Sequence, residues 1–545
     1  MTHGDAPPPI RDGLPAAAAP PSSAAPAGAA QQRLRPDTLD RLPGDVARPR
    51  YPRAGLRAGI VHLGLGAFHR GHLAAVNEAA LAAGDRRWGI VGVSLRSPDA
   101  RDALGPQDGL YALALRDIDP ADGLPRETLQ VIGGLVGLLV APEDPGAVLD
   151  RIAHPDTRIV SLTVTEKGYH HDPATRALRT DDPDVVHDLA RPDAPRGTLG
   201  FLAHGLARRR ARGLGPVTLL SCDNLPSNGD TLRGLLRSFA ERVDPALAAW
   251  IDAGCRFPNS MVDRIVPRAT DADRDRIAAR LGLRDAAPVV GEPFLAWVVE
   301  DRFAAGRPDW DAVPGVRFVE DAAPWERLKL RLVNAPHSAL AYLGAAMGAA
   351  TIAEAVAVPA LRRYAEALLR EELAPTLGPL PGFAPDAFCA GVLARFANPA
   401  LGHTTRQVAM DGSQKIPQRW LAALRERLEA GAPFDRLALA LAGWAHYLRG
   451  GDAGATAAGP VQDPLAEALL RRLTDGAPGG GAPPAGTAAG EAAPADRSAG
   501  RIAALLDFAP VFGDLGGRPD LAAAVARWHR ALAADGVRAT LERLP

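Results

Sequence analysis

Lys329, Asn334 and His337 lie in one segment, Trp325–Gly344 (WERLKLRLVNAPHSALAYLG), whose other residues are mostly leucine, valine and alanine. At about 100° per residue the three fall near 0°, about 140° and about 80°, one arc of a continuous helix. An amine, an amide and an imidazole then share a face that points into a partly dry place. Desolvation lowers a lysine toward neutrality and suits it to general acid/base work. An amide NH₂ beside a carbonyl oxygen stabilises a developing alkoxide. Pro336 removes a backbone donor inside this helix and is expected to kink it. The bland alternative is an amphipathic helix whose lysine snorkels to solvent.

Six other segments carry polar groups at informative places. Gly64-Leu65-Gly66-Ala67-Phe68-His69-Arg70-Gly71-His72 follows an apolar run, and its paired glycines let the backbone approach a pyrophosphate. His69 stands where the usual fingerprint has its third glycine, so a merely tight turn is the alternative. Ser94-Leu95-Arg96-Ser97-Pro98-Asp99 offers Asp99 to ribose hydroxyls or Arg96 to a 2′-phosphate, against a plain solvated loop. SLTVTEKGY (161–169) ends in Glu166, Lys167 and Tyr169, and LLSCDNLPSNG (219–229) ends in Asp223 and Asn224. Ordinary chemistry would make Asn228-Gly229 a turn and Asp223 a helix cap. FPNSMVDRIVP (257–267) sets Asp263 and Arg264 among apolar neighbours, where a structural Asp–Arg pair is the plain reading. MDGSQKIPQR (410–419) holds Lys415 after a turn signal.

These groups need elements to hold them. Short β-branched runs at 59–65, 89–95, 158–165 and 216–221 alternate with helical stretches such as 72–83 and 198–212, which predicts a parallel sheet covered on both faces. Ligands of such sheets sit outside the carboxyl ends of the strands, where the polar clusters lie. After about Glu326 helical periodicity dominates. The expected class is α/β: a Rossmann-type doubly wound sheet over 51–325, then a mostly α-helical domain over 326–545. Residues 1–50, rich in Ala and Pro, read as a disordered leader, and 476–500 as a flexible loop.

Composition closes other doors. With 62 basic and 63 acidic side chains the net charge is −1, so there is no footprint for nucleic acid or for an anionic membrane. Three dispersed cysteines give neither a disulfide framework nor a thiolate metal site. No apolar run approaches the ~18 residues of a membrane span, and the N-terminus does not read as a signal peptide. A reduced, cytoplasmic protein is expected. Only Lys167, Lys329 and Lys415 are lysines; every other basic residue is arginine, which cannot give up its proton at working pH.

In order along the chain, GLGAFHRGH, TVTEKGY, SCDNLPSNG, FPNSMVDRIVP, KLRLVNAPH and DGSQKIPQR resemble the polyol-specific long-chain dehydrogenase/reductase family, which contains mannitol 2-dehydrogenase, fructuronate reductase and tagaturonate reductase. The resemblance covers roughly residues 55–545. It implies metal-independent hydride transfer between a nicotinamide and a secondary alcohol or ketone, in a site between the two domains. By it Lys329 is the acid/base, Asn224 and Asn334 hold the reacting oxygen, and Glu166 belongs to a proton route. His337 and Asp263 bind and orient substrate. Gly64, Gly66, Phe68 and Arg70 form the cofactor loop, and Asp99 favours NAD. Pro98 stands where some members carry a second acid, so NADP stays open. Lys167 in TEKGY and the DGSQKIPQR segment resemble fructuronate reductase, and Lys167 or Lys415 would meet a uronate carboxylate. SCDNLPSNG resembles the mannitol type, and Gln407 aligns with a substrate-site arginine of mannitol dehydrogenases. The expected partner is a small sugar acid, with a hexitol or pentitol as the alternative, acted on by a monomer or small homo-oligomer. An idle nicotinamide-binding sensor is the alternative from another class.

Overall fold

The computed structural model describes residues 32–119, 122–172, 175–380, 383–451, 460–475 and 494–544. Among these described residues the strands are β1 Ile60–Leu63, β2 Ile90–Ser94, β3 Tyr111–Ile118, β4 Pro125–Ile132, β5 Leu135–Val140, β6 Ile159–Leu162, β7 Thr218–Ser221, β8 Ser260–Asp263, β9 Val289–Gly291, β10 Ala296–Glu300 and β11 Val316–Val319. The central sheet runs β5-β2-β1-β6-β7 with every pair parallel. Chain order departs from β1 in both directions, which puts the topological switch point between β1 and β6. All four apolar runs found in the sequence are strands of this sheet. Each is buried along its length, because helices cover both faces. Val61 and Leu63 pack with Leu199, Leu202 and Leu232 on one side, and Ile60 packs with Leu73, Leu81 and Trp297 on the other.

Two three-stranded sheets, β11-β10-β8 and β4-β3-β9, were not anticipated. The first matters for the site: β8 is the SMVD of FPNSMVDRIVP and ends on Asp263.

From Ala323 onward the described residues fold as helices. One long rod carries the Lys329 segment: α-helix Ala323–Lys329, a π-helical turn Leu330–Asn334, then α-helix Ala335–Ala346. Pro336 has no N–H and its ring crowds the carbonyl four residues back. The π-turn absorbs this, with the Ala335 N–H donating to the Leu330 carbonyl, so the rod widens where a kink was expected. Leu340, Tyr342 and Leu343 bury the rod against helices Asp435–Leu448 and Ile352–Ala357.

Two boundaries are corrected. Residues 32–50 are not part of a disordered leader: Leu34, Leu42 and Val46 are buried against Leu110, Ala112 and Leu129. Pro36, Pro43 and Gly44 interrupt the apolar pattern there. In the 476–500 loop, the last residues already belong to helix Pro494–Leu506. Residues 1–31 and 476–493 lie outside the described residues.

Candidate active site

The polar clusters line two separate regions. The first is a cleft of about 420 Å³ at the carboxyl ends of β1, β2 and β6, lined by Gly64, Gly66, Ser94, Arg96, Asp99, Thr163, Thr165 and Lys167 among others. Gly64 has φ +98°, and a Cβ there would lie 2.1 Å from the Thr163 carbonyl oxygen, so only glycine fits. Beneath the loop, His62 reaches Ser161 Oγ at 2.8 Å, Thr163 Oγ1 at 2.8 Å and the Gly64 carbonyl at 3.1 Å. His69 stacks on His62 with ring centroids 3.4 Å apart. An imidazole pair thus fills the contact that a third glycine makes elsewhere. Burial brings His62 down to about 3, so the ring is neutral. Asp99 opens helix Asp99–Leu104 on the cleft wall and accepts a 2.9 Å hydrogen bond from Ser97 Oγ.

The second region is a narrow cavity lined by Asn224, Ser260, Glu326, Lys329, Asn334 and Gln418 among others. Lys329 also borders an adjoining cavity of about 400 Å³ with Asp263, Phe294, Trp325 and Phe388. Its Nζ donates to Asn224 Oδ1. Burial brings the Lys329 ammonium down to about 8; Asp263 and Glu326 pull it up, and Arg419 and Arg395 push it further down. Accepting that proton through Oδ1 leaves both Asn224 Nδ2 donors free.

Asp223 positions this edge rather than capping a helix. Its carboxylate accepts the Val164 N–H at 3.1 Å, the Thr165 N–H at 3.0 Å and the Tyr169 hydroxyl at 2.8 Å. The TEKGY loop is thereby tied to the residue preceding Asn224. Asn228 is likewise no simple turn residue. It is buried at the start of helix Asn228–Val243 and exchanges hydrogen bonds with Ser260, donating to its carbonyl at 2.9 Å and accepting from its N–H at 2.8 Å, which ties β7 to β8.

Glu166 is half-buried and makes no hydrogen bond among the described residues. Burial raises its carboxyl, which Lys415 and Arg419 partly offset. Lys415 donates to the Val408 carbonyl at 3.2 Å, and burial, reinforced by Arg419, brings it down to about 8. His337 stacks on Phe396 at 4.6 Å and meets His403 edge-on at 5.1 Å; burial holds it well below the usual imidazole range.

Three residues sit elsewhere than expected. Lys167 is exposed and lines the glycine-loop cleft, not the Lys329 cavities, because successive residues of the tight turn Glu166–Tyr169 point in different directions. Arg70 turns away from the cleft: it donates to the Ala287 carbonyl and lies 5.3 Å over the Tyr111 ring. Phe68 stacks on His72 at 5.0 Å within the core layer and is not among the residues lining the cleft.

Asp263 is paired, but not with Arg264. Arg395, from helix Pro385–Phe396, donates to both Asp263 oxygens at 2.8 and 3.1 Å and to both Glu292 oxygens at 2.7 and 3.0 Å. Arg264 donates instead to the Gly71, Glu292 and Pro293 carbonyls. Nothing in the sequence points to Arg395, 132 residues away. Glu326 was also missed, although it precedes Lys329 by one helical turn; its carboxylate accepts the Ser227 N–H at 3.0 Å. His170, Asp182 and Asp184 are the one group with metal-capable spacing among the described residues. None lines the Lys329 cavities, and His170 Nδ1 is 3.1 Å from Asp182.

Two family models cover most of the chain: the mannitol dehydrogenase Rossmann domain matches residues 58–312 and the mannitol dehydrogenase C-terminal domain matches 321–533. The chain belongs to the mannitol dehydrogenase family. Mannitol dehydrogenase 2 of Saccharomyces cerevisiae is 42% identical over 448 residues, covering 81% of this chain and 88% of that protein. D-mannonate oxidoreductase of Escherichia coli is 43% identical over 427 residues, covering 77% and 86%. Pseudomonas fluorescens mannitol 2-dehydrogenase, solved as a ternary complex with NAD and D-mannitol, superposes with a TM-score of 0.82 at 36% identity, covering 94% of this chain and 99% of that one. As a member of this family the chain is a secondary-alcohol oxidoreductase with a Rossmann-like domain followed by a helix-rich region.

Proposed function

We propose that the protein is an NAD-dependent reductase that interconverts a keto-sugar acid and a sugar acid of the fructuronate/mannonate type. The observation that carries the chemistry is the Lys329 amine, buried, hydrogen-bonded to Asn224 and sharing a cavity with Asn334. The cleft fits a dinucleotide: the Gly64 turn excludes any side chain and Asp99 stands on the wall at the end of β2. A bound nicotinamide supplies the hydride in reduction and takes it in oxidation. In reduction Lys329 Nζ gives a proton to the ketone oxygen, while Nδ2 of Asn224 and Asn334 donate to the developing alkoxide. Overall, ketone, NADH and one proton become alcohol and NAD⁺. Glu166, half-buried and drawn to the charges of Lys415 and Arg419, serves as the relay that returns a proton to Lys329.

The sugar-acid reading draws on the similarity to D-mannonate oxidoreductase and on Lys415 beside the site. A hexitol reading is favoured by the match to an enzyme solved with D-mannitol. Initial rates of NADH oxidation with fructuronate, tagaturonate and fructose decide between them. Fructuronate is expected to give the highest kcat/KM; a preference for neutral fructose overturns the sugar-acid reading. Lys329→Ala is expected to abolish turnover and keep NADH binding, measured by fluorescence. Retained turnover removes the proposed acid/base.

A further inference from the structure

Arg419 is a half-buried guanidinium that holds no carboxylate among the described residues. It lies in the π-helical turn Pro417–Leu421, directly after Gln418, which lines the Lys329 cavity. Its Nη1 donates to the Asn334 carbonyl at 3.3 Å and to Ser338 Oγ at 2.7 Å, so the Lys329 rod fixes its place. Its Nε and Nη2 make no hydrogen bond among the described residues. Three other arginines of this region and its surroundings do hold carboxylates: Arg395 holds Asp263 and Glu292, Arg116 holds Glu127 and Asp273, and Arg331 holds Glu426.

The surroundings do not supply the missing charge. Lys329 and Lys415 both feel Arg419 as a like charge. Asp263 is held by Arg395, and Asp463 accepts the Ser413 N–H and hydroxyl. Glu326 is taken by the Ser227 N–H. Glu166 feels Arg419 as an opposite charge but makes no hydrogen bond to it. Its Nε and Nη2 are not among the sealed polar atoms that lack a partner, so solvent reaches them, and an anion arriving from outside can take them in its place.

We propose that Arg419 is the receptor for the substrate's carboxylate and selects a sugar acid over a neutral sugar. The inference rests on the sugar-acid reading above. Nε–H and the adjacent Nη2–H lie along one edge of the planar guanidinium, the edge that binds a carboxylate through two parallel hydrogen bonds. The opposite nitrogen, Nη1, is already anchored to the rod that carries Lys329 and Asn334. The carboxylate end of the substrate is thus set in register with its ketone. A hydroxyl at the same place accepts a single hydrogen bond and leaves the positive charge uncompensated.

The test is the ratio of kcat/KM for fructuronate to that for fructose, with saturating NADH, in wild type, Arg419→Gln and Arg419→Lys. Arg419→Gln is expected to lower that ratio about 10- to 100-fold, mainly through KM for fructuronate, and Arg419→Lys to restore part of it. A purely structural arginine would depress both substrates together. An equal loss on both, or an unchanged ratio in a wild type that prefers fructuronate, overturns this inference and leaves the sugar-acid reading standing. A wild type that prefers fructose overturns the sugar-acid reading itself. If Arg419→Gln does not fold, Arg419→Lys carries the same test, since a lysine cannot reproduce the two-point contact.

Discussion

The protonation of Lys329 makes the pH profile a direct probe of the proposed chemistry. Burial moves this amine from 10.5 to about 8. At pH 7 about a tenth of it is then neutral, against about three parts in ten thousand for an unperturbed lysine, a gain of roughly 300-fold in the base form. Alcohol oxidation needs the neutral amine, so its kcat/KM is expected to rise about tenfold per pH unit up to about 8 and then level off. Ketone reduction needs the ammonium, so its kcat/KM is flat below about 8 and falls above it. Asp263 holds Lys329 up and, through the bidentate contact, neutralises Arg395, which pushes it down. Asp263→Asn removes the first effect and uncovers the second, so both limbs move to lower pH, by about one unit. Initial rates in both directions between about pH 6 and 10, at constant ionic strength, measure the shift. Because Lys415 is also brought to about 8, the same profile is recorded in Lys415→Met, where the inflection is expected to stay. An inflection near 10 in wild type, an upward move in Asp263→Asn, or loss of the inflection in Lys415→Met would refute the reasoning.

Two further outcomes follow from the ion pairs and the cleft. Arg395→Met strands Asp263 and Glu292 in a buried place and is expected to cost about 3–5 kcal/mol in urea unfolding; a loss below about 1 kcal/mol would show that the clasp is not structural. Asp99→Ala is expected to raise KM for NADH and narrow its preference over NADPH about tenfold in steady-state kinetics, and an unchanged preference would take Asp99 off the ribose.

Local pattern revealed the parts of this molecule that local pattern determines. The β-branched runs at 59–65 and 158–165 became central strands because burial on both faces demands unbroken apolar stretches. The Lys329 segment was legible because three polar groups stood in an otherwise apolar helix. What stayed hidden depended on partners far along the chain. The carboxylate of Asp263 read correctly as paired, yet its partner comes from a helix 132 residues later, not from the adjacent Arg264. Side-chain direction in tight turns was equally hidden: Lys167 lines the glycine-loop cleft, and its neighbour Glu166 does not. Leu34, Leu39, Leu42 and Val46 looked like leader because Pro36, Pro43 and Gly44 break up these four apolar residues, although tertiary packing uses all of them.

The π-turn at Leu330–Asn334 has a consequence for how this chain tolerates length changes. A π-turn is an α-helix with one residue too many. Removing one residue from Leu330–Val333 would return the rod to ordinary α-helical bonding. Because the wide turn already absorbs the surplus residue, Asn334 and everything after it would keep nearly the same rotation about the axis relative to Lys329. The same deletion in the regular helix Ala335–Ala346 would turn everything after it by about 100°. The π-turn is thus the one stretch of the rod that can lose a residue and leave the amine and the amide in phase.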